Sequence, residues 1–333
     1  MDSAQVDVIL ETVLPRYGIN VRGIMPLNPQ TVLVDSDRGV KRLRIDTDER
    51  VVKRRHALWE HLAKNGFRRI PRHIRSLYGE SWVEAADQLF TLSDDWEGRT
   101  PEVMPLDMRL VGRNLAHLHD ACRGLQLPPE LALPKRHGTW LQRFTQAGEE
   151  LAERSQQWSE HRQKNMLQER FLEHYEWISE QISRAVEGLT AAKYEEAARR
   201  AEQEAEFAVG DYRLSDLRIS MEGRVATLHI DDAIADLPLY DVAKFAHGLI
   251  EKGEYDMARL FVDSYAETGQ LSEQDIVVLD AYMAFPHAAY RHISQYARFK
   301  KSADVFAERL EQAVIQGQTR RPILYGADSI TWS

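Results

Sequence analysis

The sequence predicts an α+β protein in two lobes: a small antiparallel-sheet lobe carrying one main helix, and a larger, mostly helical lobe. Three observations carry that expectation. Short strand-like runs separated by turn residues occupy roughly the first 95 positions. Helical periodicity dominates thereafter. One hairpin interrupts the helices, and aspartates bracket it. The expected division is 1–95 for the small lobe, 96–320 for the helical lobe with its hairpin at 207–232, and 321–333 as a tail.

Taken in order, Ala4 to Asn20 reads as a short helix. Arg22 to Pro26, Gln30 to Asp35 and Val40 to Ile45 read as strands, parted by Asn28-Pro29 and by Asp37-Arg38-Gly39. Arg50 to Asn65 is the main helix of this lobe, with Val51, Ala57, Leu58, Trp59, Leu62 and Ala63 as its apolar side and Gly66 as its stop. Ser81 to Ala85 and Gln88 to Leu92 complete the sheet, and SDDWEGRTP is a connector. Helices follow at Asp107 to Arg123, Thr139 to Trp158 and Asn165 to Gln203, the last with an apolar stripe from Phe171 to Val186. Beyond the hairpin come Asp241 to Lys252, Asp256 to Thr268, Ser272 to Ala284, His287 to Arg298 and Ala303 to Gly317, then an aperiodic tail from Gln318.

Composition narrows the class. With 43% hydrophobic and 29% charged residues and no apolar run near the ~18 residues a membrane span needs, a soluble protein is expected. The start, MDSAQVDVILETVL, lacks the pattern of a signal peptide. The single cysteine, Cys122, excludes an internal disulfide framework and fits a reducing, cytoplasmic setting; a small buried helix residue is the expectation for it. A net charge of −9 argues against nucleic acid as the main partner. That charge is uneven: Arg38 to Arg75 holds 13 Lys and Arg against 4 Asp and Glu, leaving −18 for the rest. A solvated helix face and loop accounts for such a run, and a basic lobe turned toward phosphates is the sharper reading.

The chemistry concentrates in Phe207 to Phe245. Gly210-Asp211 opens it, Asp216 follows five residues on, and Leu217 to Ser220 and Arg224 to Ile230 form a hairpin about Glu222-Gly223. The second strand ends in Asp231-Asp232. A carboxylate in a loop, another five residues later and a third at a strand end is what kinase-type phosphoryl transfer requires: one acid orients the hydroxyl, the others hold Mg²⁺ on the nucleotide phosphates. The structural alternatives are a turn aspartate at Asp211, capping at Asp216 and a plain polar strand end at Asp231-Asp232. Asp241 is expected to cap its helix. His117 and His119 sit two apart and form no metal pair, and His119 and His229 read as lone packing histidines.

The order of elements is that of the kinase superfamily, and specific residues sharpen it. Tyr17-Gly18, Trp96 to Arg99, Leu115 to His119, Gly210-Asp211, Asp236-Leu237-Pro238 through Asp241 to Lys244, Ala284-Phe285-Pro286 and Tyr290-Arg291 recur in order over about residues 8 to 312. In these the chain resembles the aminoglycoside-phosphotransferase-like branch of kinases, and within it the CotS family of spore-coat-associated proteins.

That resemblance implies Asp211 as catalytic base, with Val209 where the family has His. It implies Asp216 as a metal ligand in place of Asn, and Asp231 or Asp232 as the second ligand, Asp231 being favoured. Arg44 stands where a phosphate-contacting lysine follows a strand leucine, with Lys41 as a neighbour out of register. Ser93, Asp94, Asp95 and Trp96 are implied at the adenine ring. ATP and Mg²⁺ are the implied cofactors if the protein is active, and other spore coat proteins or a small hydroxyl-bearing, cationic substrate the implied partners. The favoured expectation is a kinase-like binding or assembly module of sporulation, cytoplasmic or deposited on the coat, with degraded phosphotransfer motifs. The alternatives are an active ATP- and Mg²⁺-dependent phosphotransferase, and a nucleotide-binding regulator without turnover.

Overall fold

The computed structural model describes residues 3–269, 271–299 and 302–319; the expected tail, 321–333, lies outside them. The chain groups into two compact units. The first comprises Met1–Glu102, His117–Pro134 and Val209–Ala233; the second comprises Val103–Ala116, Lys135–Ala208 and Ile234–Ser333. The hairpin thus groups with the N-terminal segment.

In the first unit, α1 (Ser3–Asp7) runs into a π-helical turn at Val8–Val13 and a 3-10 turn at Leu14–Tyr17. The expected single helix is therefore a composite; Pro15, which has no N–H to donate, sits in the tightened turn. The antiparallel sheet follows: β1 (Val21–Asn28), β2 (Thr31–Ser36), β3 (Gly39–Asp46), β4 (Val83–Ala85) and β5 (Gln88–Asp94), in the order β1-β2-β3-β5-β4. Successive side chains of a strand face opposite ways. Val32, Val34, Leu43, Ile45, Phe90 and Leu92 turn to a core closed by Ile9, Val13, Leu14 and Tyr17, whose hydroxyl donates to the Phe90 carbonyl at 2.9 Å. The alternate positions, Leu33, Arg42, Arg44, Thr91 and Ser93, form the other face. Lys41 shares the buried pleat with Leu43, so it cannot stand in for Arg44.

α2 (Glu49–Lys64) starts at Asp48, whose carboxylate accepts from the Arg50 N–H at 2.8 Å and the Val51 N–H at 3.3 Å. Its buried stripe, Val52, Arg55, Trp59 and Leu62, includes one charged residue.

Helix dominates the second unit, and 56% of the described residues are helical. α3 (Pro105–Asp120) and α4 (Thr139–Ser159) come first. The expected helix from Asn165 to Gln203 is two helices, α5 (Met166–Ala191) and α6 (Tyr194–Gln203), because Lys193 adopts a left-handed φ of 53° and its N–H turns to the Thr190 carbonyl. Asn165 and Gln168 close a reciprocal capping box on α5. The remaining helices are α7 (Leu239–Ile250), α8 (Tyr255–Gly269), α9 (Glu273–Ala284), α10 (His287–Phe299) and α11 (Ala303–Gln318). Asp241 does not cap α7: the helix begins earlier, after Pro238, and leaves Asp241 buried in its first turn. Among the described residues no helix is long and apolar enough to cross a membrane.

The hairpin strands β6 (Leu217–Ile219) and β7 (Val225–Thr227) are shorter than expected. After Thr227 the chain leaves the ladder, and Leu228 donates to the Asp216 carbonyl at 2.8 Å. This brings the strand end back beside the loop that precedes the hairpin. The return is tight at Gly210: with φ at +84°, a Cβ there would lie 2.0 Å from the Asp232 carbonyl oxygen. Gly98 plays the same part for the connector, where a Cβ would lie 2.4 Å from the Ile219 carbonyl.

In the second unit Asp236 is fully buried, accepting from Trp140 Nε1 at 3.0 Å and from the Leu237 N–H at 2.9 Å. Trp140 stacks on Tyr194 at 5.1 Å and meets Tyr282 edge-on at 4.7 Å. Burial outweighs the two hydrogen bonds and, with the charge of Asp241, pushes the Asp236 carboxyl up to about 7.

Two predictions follow from these positions. The folded state holds the Asp236 proton more tightly than the unfolded chain, so its contribution to stability is full below about pH 4 and lost as pH rises through about 7. Asp236→Asn should remove a slope worth on the order of 4 kcal/mol across that window, seen by comparing urea unfolding of both proteins at several pH values. Gly210→Ala should destabilise by at least about 2 kcal/mol, since it combines a left-handed φ with a steric clash; an unchanged urea midpoint would contradict the tight crossing.

Candidate functional site

The polar face of the sheet and the loop before β6 enclose a cleft of about 700 Å³ in the first unit. The β1–β2 turn (Asn28, Pro29, Gln30), Arg42, Arg44, Arg55, Ser93, Asp216 and His229 all line it. Its walls carry four arginines and one carboxylate.

Arg44, on β3, reaches Asp231, with Asp231 Oδ2 accepting from Arg44 Nη2. Arg55 Nη1 donates to the same Oδ2 at 3.1 Å, while Arg55 Nη2 donates to Asp46 Oδ2 at 2.5 Å. Arg44 Nε also lies 3.4 Å from Asp46 Oδ1. Two guanidiniums and two carboxylates therefore form one neutral network. Arg55 is only 3% exposed. Burial alone would lower the Arg55 pKa, but hydrogen bonding to Asp46 and the charges of Asp231 and Asp46 raise it. Burial likewise opposes ionisation of Asp231, and Arg55 and Arg44 overcome it, holding that carboxyl below its ordinary value. Beside them His73, bridged to the Ser93 backbone, is driven down to about 3 by burial and then by Arg55, His56 and Arg44, so it is neutral.

The other expected residues divide. Asp211 is paired with Arg213. Asp232, half exposed, accepts no contact from Arg44 or Arg55; its Oδ2 lies 3.0 Å from His229 Nε2 and 3.8 Å from Arg213. His229 is thus a cleft residue rather than a packing histidine, and His119 is buried as expected. Ser93 is buried in the cleft wall. Asp94 pairs with Lys41 at 2.5 Å, Asp95 pairs with Arg42 at 2.7 Å, and the Asp95 N–H donates to the Val40 carbonyl. Trp96 is half-buried and is not among the cleft-lining residues.

For a metal the donor set is small. Among the described residues no three His, Cys, Asp or Glu side chains group to hold an ion. Asp216, Asp231 and Asp232 accordingly do not converge as a triad. Two of them show a different signature. Asp216 Oδ2 and Asp231 Oδ1 are buried without a hydrogen-bond partner, the only carboxylate oxygens so placed among the described residues. An orphaned buried acceptor is costly, and the chemistry of each of these oxygens, a carboxylate oxygen with no donor, is that of a hard-cation ligand.

Arg55, Asp46 and Arg213 are the residues that sequence reasoning missed. Arg55 had a signal: it occupies the apolar stripe of α2, at helical spacing from Val52, Trp59 and Leu62. Asp46 had none, because its partner Arg55 meets it only when α2 folds back against β3; Arg213 stands two residues from Asp211, a closeness that by itself does not mark an ion pair.

Solved structures with similar architecture include several phosphotransferases. An aminoglycoside phosphotransferase from Alicyclobacillus acidocaldarius matches with a TM-score of 0.74 at 14% identity, covering 92% of each chain. Spectinomycin phosphotransferase, in complex with ADP and spectinomycin, matches with a TM-score of 0.57 at 10% identity, covering 96% of this chain and 98% of its own. The GDP complex of an aminoglycoside 2'-phosphotransferase matches with a TM-score of 0.54 at 11% identity, covering 95% and 97%. At these identities the likeness establishes the kinase-like fold. No curated protein matches the chain. The family model described as "spore coat putative kinase YutH" matches residues 11–325, and the chain belongs to that family.

Proposed function

We propose that this protein is a spore-coat binding and assembly module that takes a metal–nucleotide in its cleft but has lost most phosphoryl transfer. The observation that carries this reading is the pairing of both acids that transfer would use: Asp211 with Arg213, and Asp231 with Arg44 and Arg55. A carboxylate already bound to a guanidinium is a poorer acceptor for a hydroxyl proton, and general-base help depends on that acceptance. Nucleotide binding is supported by the unpartnered oxygens of Asp216 and Asp231 and by the cationic walls. These two residues would hold Mg²⁺, which when bound neutralises the phosphates. Arg42, Arg44 and Arg218 would face the ligand's negative charge. The nucleotides in the two solved complexes, ADP and GDP, are of the class such a cleft would accept.

A second reading, a working phosphotransferase on a small hydroxyl compound, is favoured by the retention of Asp211 at the cleft loop and by the same two oxygens. Calorimetry of the pure protein with ATP, with and without Mg²⁺, tests the first part: binding should require the metal and weaken at least about tenfold in Asp216→Ala. Transfer to aminoglycosides and other hydroxyl compounds should stay near background. In a spore-forming host, coat deposition should survive Asp211→Ala. Turnover on any acceptor, or deposition lost with Asp211→Ala alone, would establish the enzyme instead.

A further inference from the structure

We infer that Arg44 and Arg55 take the place of a second divalent cation at Asp231, so that nucleotide enters this cleft with one metal ion rather than two. The inference rests on the nucleotide-binding reading above and specifies the ion count of that site. Kinase-type sites hold two Mg²⁺ ions between the strand-end aspartate and the loop residue five positions after the base. For both ions to bind, the strand-end carboxylate must present both oxygens. Here Oδ2 of Asp231 accepts from both guanidiniums, and only Oδ1 is left without a partner.

Displacing those guanidiniums is hard. Arg55 is almost wholly buried and is held by Asp46 through Nη2 at 2.5 Å and Nη1 at 3.3 Å. A metal taking Oδ2 would strand that buried charge. Nor does the network attract a second ion, since Arg44 and Arg55 balance Asp46 and Asp231. The lone oxygens of Asp231 and Asp216 remain, enough for one ion that completes its shell with phosphate and water. Arg55 is thus a positioning residue: it acts on the ligand through Asp231, as a permanent cation built into α2.

The number of ions is directly countable with Mn²⁺ and the non-hydrolysable ATP analogue AMP-PNP. The native protein, equilibrated with both, should hold one Mn²⁺ per bound nucleotide and show the electron paramagnetic resonance spectrum of an isolated ion. Arg55→Gln keeps hydrogen-bond donors but removes the charge. It should raise the count from one to two and bring out the spectrum of a spin-coupled pair. Arg44, the more exposed partner, can turn aside, so Arg55 is the residue tested; where Arg55→Gln fails a circular-dichroism test of folding, Arg55→Met, which matches the apolar stripe of α2, should give the same result. Two Mn²⁺ in the native protein overturns the inference while leaving nucleotide binding standing. A count still at one in a folded variant also overturns it. Absence of bound nucleotide overturns both readings together, which separates the two failures.

Discussion

A guanidinium with almost no exposed surface must be answered by negative charge, and the site is arranged around that requirement. Arg55 points from the buried stripe of α2 into the space between β3 and the end of the hairpin, where Asp46 and Asp231 meet it. Leaving such a charge unpaired would cost about 3–5 kcal/mol, comparable to a large share of a domain's net stability. The network therefore ties two consecutive elements, β3 at its last residue and α2, to the turn after β7, far along the sequence. Arg44 joins as the second cation, and the neighbouring His73 stays neutral under the same field.

Backbone crossings make that meeting possible. Gly210 lets the loop that carries Asp211 pass against the Asp232 carbonyl, and Gly98 lets the connector pass against Ile219, which it also pairs through Arg99 at 2.8 and 3.1 Å. Neither passage has room for a Cβ. The two glycines thus fix where the aspartates emerge, and the arginines then decide what those aspartates can do.

Much of this was legible in the sequence because it is local. The five strands, α2 with its stop and the hairpin around Gly223 all follow from alternation, helical spacing and turn residues, and the landmark residues pointed to the right fold. The unreadable part is long-range. Arg44 and Arg55 find Asp231 across 187 and 176 positions, and no window of sequence contains both ends of either contact. Among the carboxylates only Asp231 answers cations so far away; Asp211 and Asp232 lie within three positions of Arg213 and His229, local pairings that alternation and spacing do not reveal. The break at Lys193 was hidden for another reason: Ala and Glu surround it, and both favour the helix that the left-handed residue interrupts.

The chemistry of fixed cations bears on whether a kinase fold such as this one catalyses or only binds. Phosphoryl transfer is accelerated by interactions that strengthen as charge moves in the transition state. Guanidiniums locked to carboxylates before any ligand arrives offer nearly the same field to the ground state and to the transition state. Such uniform stabilisation deepens binding and leaves the barrier where it was. Asp211 is likewise paired, through its Oδ2 with Arg213. On the reading proposed above, a cleft built this way would hold its ligand well and change it slowly, because the fixed cations would stabilise ground state and transition state alike.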